Sequence, residues 1–124
     1  MVKRYVAEPE SEIVRDEMAR ADGWYMCRVG FVETARAVAL AAGARAAKAV
    51  RGDWPAFGIV EVDQPLVEHA AALGVRRELG SMDALHLAAA LLLPRDELEF
   101  ATWDRRLHAA AAAEGLQLLP PKLG

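Results

Sequence analysis

A single cysteine, Cys27, stands in 124 residues. It excludes an internal disulfide and a cysteine zinc cluster. No long apolar run is present: the longest, residues 87–93, falls far short of the about 20 residues that a membrane span needs. There is no charged-then-apolar leader, so a secretory signal is not expected. No strand is followed by a glycine-rich phosphate loop, which weakens any reading as a small-molecule-binding doubly wound domain. Internal repeats, linkers and low-complexity tails are also missing. Basic charge is not in excess: 15 Lys and Arg face 18 Asp and Glu, for a net charge of −3. A surface that is wholly a nucleic-acid footprint is thereby excluded, while a local basic patch is not. These bounds imply a cytoplasmic, soluble single domain over residues 1–124 with one core.

Hydrophobic residues make up 54% of the chain, and alanine dominates them, which favours many closely packed helices. The stretch 81–104 organises the rest. Ser81 is placed to cap a helix, and Asp83 falls in its first turn, where negative charge is favoured. Residues 84–93 are apolar on nearly every side, which predicts a buried helix, and Pro94 stops it. Residues 98–102 read as a short buried strand, with Asp104 just past its C-terminal end. That edge is where ligand-binding residues collect in open α/β sheets.

Upstream, residues 2–7 form a short helix-compatible stub. Ser11 is placed to cap a helix to about residue 22, with Ile13, Val14 and Met18 on one face. Residues 24–29 read as a strand. A largely buried helix follows from Gly30 to about Ala42, with Glu33 in its first turn and Arg36 at i+3. Glu33 is either a helix-dipole partner in a surface ion pair or a metal ligand. Residues 44–52 are helical and carry Arg45, Lys48 and Arg51 on adjacent turns, a stripe read as a solvated face. Trp54 is expected to pack rather than to stack on a base. Residues 58–62 form a strand, and 65–79 a helix with Pro65 in its first turn and His69 on the solvent side. Residues 105–114 form an Ala-rich helix stopped by Gly115, before a last strand at 116–119. Strand and helix alternate, which implies a parallel sheet with helices on both faces.

The motif Met82-Asp83-Ala84-Leu85-His86-Leu87-Ala88-Ala89-Ala90, followed by Ala101-Thr102-Trp103-Asp104-Arg105-Arg106-Leu107, closely resembles the second half of a PIN domain. Within that superfamily it is most similar to VapC-type toxins of bacterial toxin–antitoxin pairs. Val32-Glu33-Thr34-Ala35-Arg36-Ala37 matches the acidic helix start of the same group. The resemblance implies a PIN-like three-layer α/β/α fold with a mainly parallel sheet. It implies a metal-dependent endoribonuclease, an RNA substrate, a VapB-like antitoxin partner and a homodimer. Glu33, Asp83 and Asp104 match three of the family's acids and are the implied catalytic and metal-binding residues. Carboxylates suit Mg²⁺ or Mn²⁺, which prefer hard oxygen donors. Such a site can polarise a phosphodiester and activate water in line with the leaving oxygen.

Thr102 matches the Thr of the family's Thr-x-Asp pattern and is expected to support the site through its hydroxyl. Arg36, Arg105 and Arg106 are the candidate RNA contacts, since guanidinium groups suit phosphate. His86 is read as a packing residue, and His69 and His108 as surface residues.

One element of the pattern is absent. VapC-like chains open with a hydrophobic strand ending in Asp-x-Ser, whereas this numbering starts at Met1-Val2-Lys3-Arg4-Tyr5. The resemblance therefore implies a missing first, central strand with its acid, and a native start roughly ten residues upstream. Residues 1–124 alone are then expected to be poorly stable, and a cooperative monomeric melt above about 50 °C would contradict that. The competing reading is a non-catalytic PIN-like module that binds an antitoxin or RNA without cleaving it.

Overall fold

The computed structural model describes residues 1–96 and 98–123. The chain divides into two compact units, Met1–Glu61 and Val62–Gly124. Each contains one pair of parallel strands, as the alternation of strand and helix implied. Parallel neighbours cannot be joined by a tight turn, so each pair is connected through helices.

The first unit runs α1 (Val2–Tyr5), α2 (Ser11–Arg20), β1 (Trp24–Cys27), α3 (Gly30–Ala42) and α4 (Ala44–Asp53). A 3₁₀ turn, Trp54–Ala56, and β2 (Phe57–Val60) complete it. Trp24 pairs with Phe57 and Cys27 with Val60. The Arg28 N–H extends the ladder to the Val60 carbonyl at 2.9 Å. Gly58 permits this approach, because a Cβ there would lie 2.7 Å from the Tyr25 ring. Gly43 separates the two crossover helices at φ 91°, a conformation that glycine adopts without steric cost.

Aromatic rings support this strand pair. Trp24 and Phe57 have centroids 5.3 Å apart, Trp54 and Phe57 5.4 Å, and Phe31 meets Trp54 edge-on at 5.2 Å. Trp54 therefore packs, as expected. The Arg4 guanidinium lies 4.9 Å over the Trp24 ring, and its Nε donates to Asp53 at 3.2 Å. Tyr5 donates its hydroxyl to the same carboxylate at 2.8 Å. Burial, and then the bond to Asp53, pushes the Tyr5 hydroxyl up to about 12.

Three sequence expectations are corrected in this unit. Ser11 is not a cap: Glu10, at φ 66°, precedes the helix. The Ser11 hydroxyl instead accepts from the Glu8 N–H and donates to the Val6 carbonyl, tying the stub to α2. Nor is α3 largely buried. It buries Gly30, Thr34 and Val38 but leaves Val32 59% and Leu40 72% exposed, so its apolar residues surround the helix while only one stripe packs. The strand expected at 58–62 starts one residue earlier and ends at Val60.

The second unit runs α5 (Gln64–Arg77), α6 (Ser81–Ala90), β3 (Glu99–Ala101), α7 (Arg105–Ala113) and β4 (Gln117–Leu119). Asp63 caps α5, its Oδ1 accepting from the Leu66 N–H at 3.0 Å. Glu78 ends that helix in the left-handed region at φ 55°. Leu66, Leu73, Leu87, Leu107 and Ala111 form the core. Residues Ala84 and Leu87 to Ala90 are all buried, which bears out the reading of α6 as a buried helix. Ser81, however, is the first helical residue, and Gly80 takes the cap position without a side-chain bond. The helix also stops at Ala90, ahead of Pro94. The strand at 99–101 is only half-buried at Phe100 and is exposed at Glu99 and Ala101, so it is not the buried strand that its apolar flanks suggest. His69 is half-buried rather than on the solvent side.

Glu114 links the two ends of this unit. It accepts from Arg76 Nη2 at 3.2 Å and from Arg77 Nε at 2.8 Å, with its side chain 14% exposed. The bond from Arg77, reinforced by Arg76, holds its carboxyl below the ordinary carboxylate value of 4.5. A depressed folded value means that the contribution is present above 4.5 and is lost as pH falls through the folded value. Glu114→Gln is therefore expected to cost stability near neutral pH. The gap from the parent chain should close as urea unfolding is repeated from about pH 6 down to about pH 3. A gap independent of pH would contradict the ion-pair account.

Candidate functional site

Every acidic site residue expected from the sequence lies at the start of a helix. Glu33 is in the first turn of α3 and exposed; its N–H donates to the Val29 carbonyl at 3.3 Å. Asp83 is in the first turn of α6 and half-buried. Asp104 is the cap of α7, its Oδ1 accepting from the Leu107 N–H at 2.8 Å. Backbone N–H groups at such termini favour negative charge and hold a carboxylate in a fixed direction. The Asp104 cap uses Oδ1.

The approach to Asp104 is built residue by residue. Glu99 to Ala101 pair with Gln117 to Leu119, and the Thr102 N–H adds a bond to the Leu119 carbonyl at 3.0 Å. The Thr102 hydroxyl accepts from the Asp104 N–H at 3.1 Å. Thr102 thus turns the chain from strand to helix and fixes where Asp104 begins. The His108 ring Nε2 lies 2.8 Å from the Pro120 carbonyl, and because a carbonyl only accepts, this nitrogen carries a proton. His108 is therefore a half-buried brace between α7 and the end of β4, not a plain surface residue.

Among the basic candidates, Arg36 is exposed on α3, and Arg105 and Arg106 are exposed at the start of α7. Arg106 donates Nη1 to the Glu78 carbonyl at 3.4 Å. His86 is half-buried on α6. Asp83 and Asp104 belong to the second unit and Glu33 to the first. Among the described residues, neither unit by itself gathers three or more His, Cys, Asp or Glu placed to hold a metal. The donor chemistry nonetheless fits a hard divalent cation, since all three side chains are carboxylates. Sequence reasoning missed the helix cap Asp63 and the grouping of Arg76 and Arg77 around Glu114. The latter pairing spans 37 and 38 residues, and no local motif signals it.

The cap geometry separates the structural from the chemical role of Asp104. Asp104→Ala removes the acceptor for the Leu107 N–H and is expected to cost about 1 kcal/mol in urea unfolding. Asp104→Asn keeps an oxygen acceptor while removing the charge, and it should stay within about 0.5 kcal/mol of the parent. Equal losses in both variants would contradict this assignment.

Comparison with known proteins identifies relatives of the chain. The PIN domain family matches residues 4–116. Two Mycobacterium tuberculosis proteins, Ribonuclease VapC45 of strain CDC 1551 / Oshkosh and Ribonuclease VapC49 of strain H37Rv, are each 40% identical over 70 residues. These matches cover 56% of this chain and 49% of each relative, so the matched part spans about half the length of those two proteins. Ribonuclease VapC46 of M. tuberculosis H37Rv is 31% identical over 121 residues, 98% of this chain and 92% of the relative. No solved structure matches. With a family match across both units and a near full-length relative, the chain belongs to the PIN-domain family, among its VapC-type members.

Proposed function

We propose that the chain is a metal-dependent endoribonuclease, the toxin of a VapBC-like toxin–antitoxin pair. The observation that carries the reading is its similarity to three proteins named Ribonuclease VapC, together with three carboxylates in capping or first-turn positions. The PIN match runs across both units, which supports reading residues 1–124 as a single PIN-like domain. Glu33, Asp83 and Asp104 are the residues that would hold Mg²⁺ or Mn²⁺. When bound, such an ion supplies charge neutralisation at the scissile phosphate and lowers the pKa of water.

The chain's own residues do the positioning. Asp104 is directed by its bond to the Leu107 N–H, and Thr102 fixes the turn that precedes it. Asp83 projects from a helix whose other residues are largely buried, so its backbone is anchored by the core. Rigid placement of charged groups is what lowers the cost of organising a transition state. Arg36, Arg105 and Arg106 contact the RNA backbone, where guanidinium groups pair with phosphate oxygens.

The remaining parts of the reading are a VapB-like antitoxin, a homodimer and a cytoplasmic location. Among the described residues no helix is long and apolar enough to cross a membrane.

Asp83→Asn is the direct test. It removes one negative oxygen donor while preserving size, so Mg²⁺-dependent cleavage of RNA should fall by at least about 100-fold with the unfolding curve unchanged. Undiminished cleavage would remove Asp83 from the site. A parent chain that binds antitoxin or RNA but never cleaves would instead favour the non-catalytic module.

A further inference from the structure

A further basic feature runs from the start of α7 to the end of α5, within the unit Val62–Gly124. The last turn of α5 and one face of α7 border a groove of about 280 Å³. Arg106, Ala109, Ala110 and Ala113 of α7 line it, together with Arg76, Arg77 and Glu78 at the end of α5. Alanines at three of these α7 positions leave the helix surface beyond Arg106 without long side chains. Arg76 and Arg77 share the single carboxylate of Glu114, which leaves one positive charge of the three groups uncompensated. Arg106 is bonded to the neutral carbonyl of Glu78. Arg95 adds a further guanidinium at the Glu114 carbonyl, 3.2 Å away. Even with the Glu78 carboxylate counted, the groove is locally positive on a chain whose net charge is −3.

The guanidinium groups are also held in place. Glu114 is 14% exposed and fixes two of them, while Arg76 remains 50% and Arg77 30% exposed. Each has five N–H donors in a planar fork, and those bonds occupy only one or two per side chain. The remaining edges are available to an anion with several oxygens. A guanidinium pre-ordered by a fixed carboxylate loses less entropy on binding than a free one.

We propose that this groove is a backbone-binding subsite for single-stranded RNA, engaging phosphates outside the cleaved linkage through Arg76, Arg77 and Arg106. The assignment rests on the ribonuclease reading for its ligand. It extends the RNA contact of Arg106 from the start of α7 to the end of α5. The contacts are to phosphate, so the subsite contributes affinity and salt dependence without base preference.

The test uses the full chain and a fluorescein-labelled oligouridylate, in EDTA so that no metal-dependent turnover intervenes. Anisotropy gives the Kd as a function of salt. Arg76→Gln with Arg106→Gln leaves the Arg77–Glu114 pair in place and should weaken binding about tenfold. It should also reduce the slope of log K against log salt by about 1.4, the loss of two phosphate contacts on a single strand. A control, Arg45→Gln with Arg51→Gln on α4, removes the same charge elsewhere and should leave the slope within about 0.3 of the parent. Unchanged affinity and slope in the first variant overturn the proposal. An equal fall in the control also overturns it, because attraction is then diffuse. If RNA binding survives but capture of an oligoglutamate peptide is lost, the groove is a docking site for an acidic segment and the proposal fails. A chain that binds through the groove yet shows no Mg²⁺-dependent cleavage sinks the ribonuclease reading and leaves the subsite standing.

Discussion

The parallel pairing of β3 with β4 is the constraint on which the candidate chemistry in the second unit depends. Parallel strands must be joined by a crossover, and here that crossover is α7. The chain leaving β3 therefore has to enter a helix within three residues. Thr102 and Asp104 do this with two side-chain bonds, one accepting the Asp104 N–H and the other the Leu107 N–H. A carboxylate is thereby fixed at the strand's C-terminal end, where the helix N–H groups favour negative charge. The Leu119 carbonyl, which accepts from the Thr102 N–H, binds the same turn to β4, and the Pro120 carbonyl accepts from the His108 ring N–H and so holds α7 to the end of that strand. The Asp104 carboxylate is thus oriented by the Leu107 N–H, on a turn that is itself bonded to β4.

The first unit follows the same logic with different side chains. The crossover from β1 to β2 passes through α3 and α4, and Glu33 sits in the first turn of α3. Here the strands are braced by rings rather than by polar bonds. Trp24, Phe57, Trp54 and Phe31 form a chain of contacts, and Arg4 covers the outer ring while reaching Asp53. The Tyr5 hydroxyl, bonded to the same Asp53, stays neutral into strongly alkaline solution. The stub α1 is in this way tied to the end of α4 across more than 45 residues of chain.

Much of this was legible in the sequence. Helix and strand alternation gave the parallel pairing, Gly30–Ala42 was delimited by its glycine breaks, and the all-round apolar run after Asp83 marked a buried helix. What was not legible depends on which group satisfies a backbone N–H. Ser11 and Ser81 look like caps, yet Ser11 bonds to the preceding loop and Gly80 takes the cap position of α6. Composition likewise overstates the burial of α3, since an apolar residue such as Leu40 can face solvent without local penalty in the pattern. The arginine groove was invisible for a different reason: Arg77 and Glu114 lie 37 residues apart, and only the packing of α7 against the rest of its unit brings them together.

The central claim is that fixed carboxylates and a divalent ion activate water against an RNA phosphodiester. The chemistry of the product ends tests this most directly. Water as nucleophile leaves a phosphate on one fragment and a free hydroxyl on the other, with the 2′-hydroxyl uninvolved. The account predicts that RNA cut by this chain in Mg²⁺ carries no 2′,3′-cyclic phosphate, as read by mass spectrometry of the fragments. Cyclic phosphate ends, formed when the neighbouring 2′-hydroxyl attacks, would contradict it.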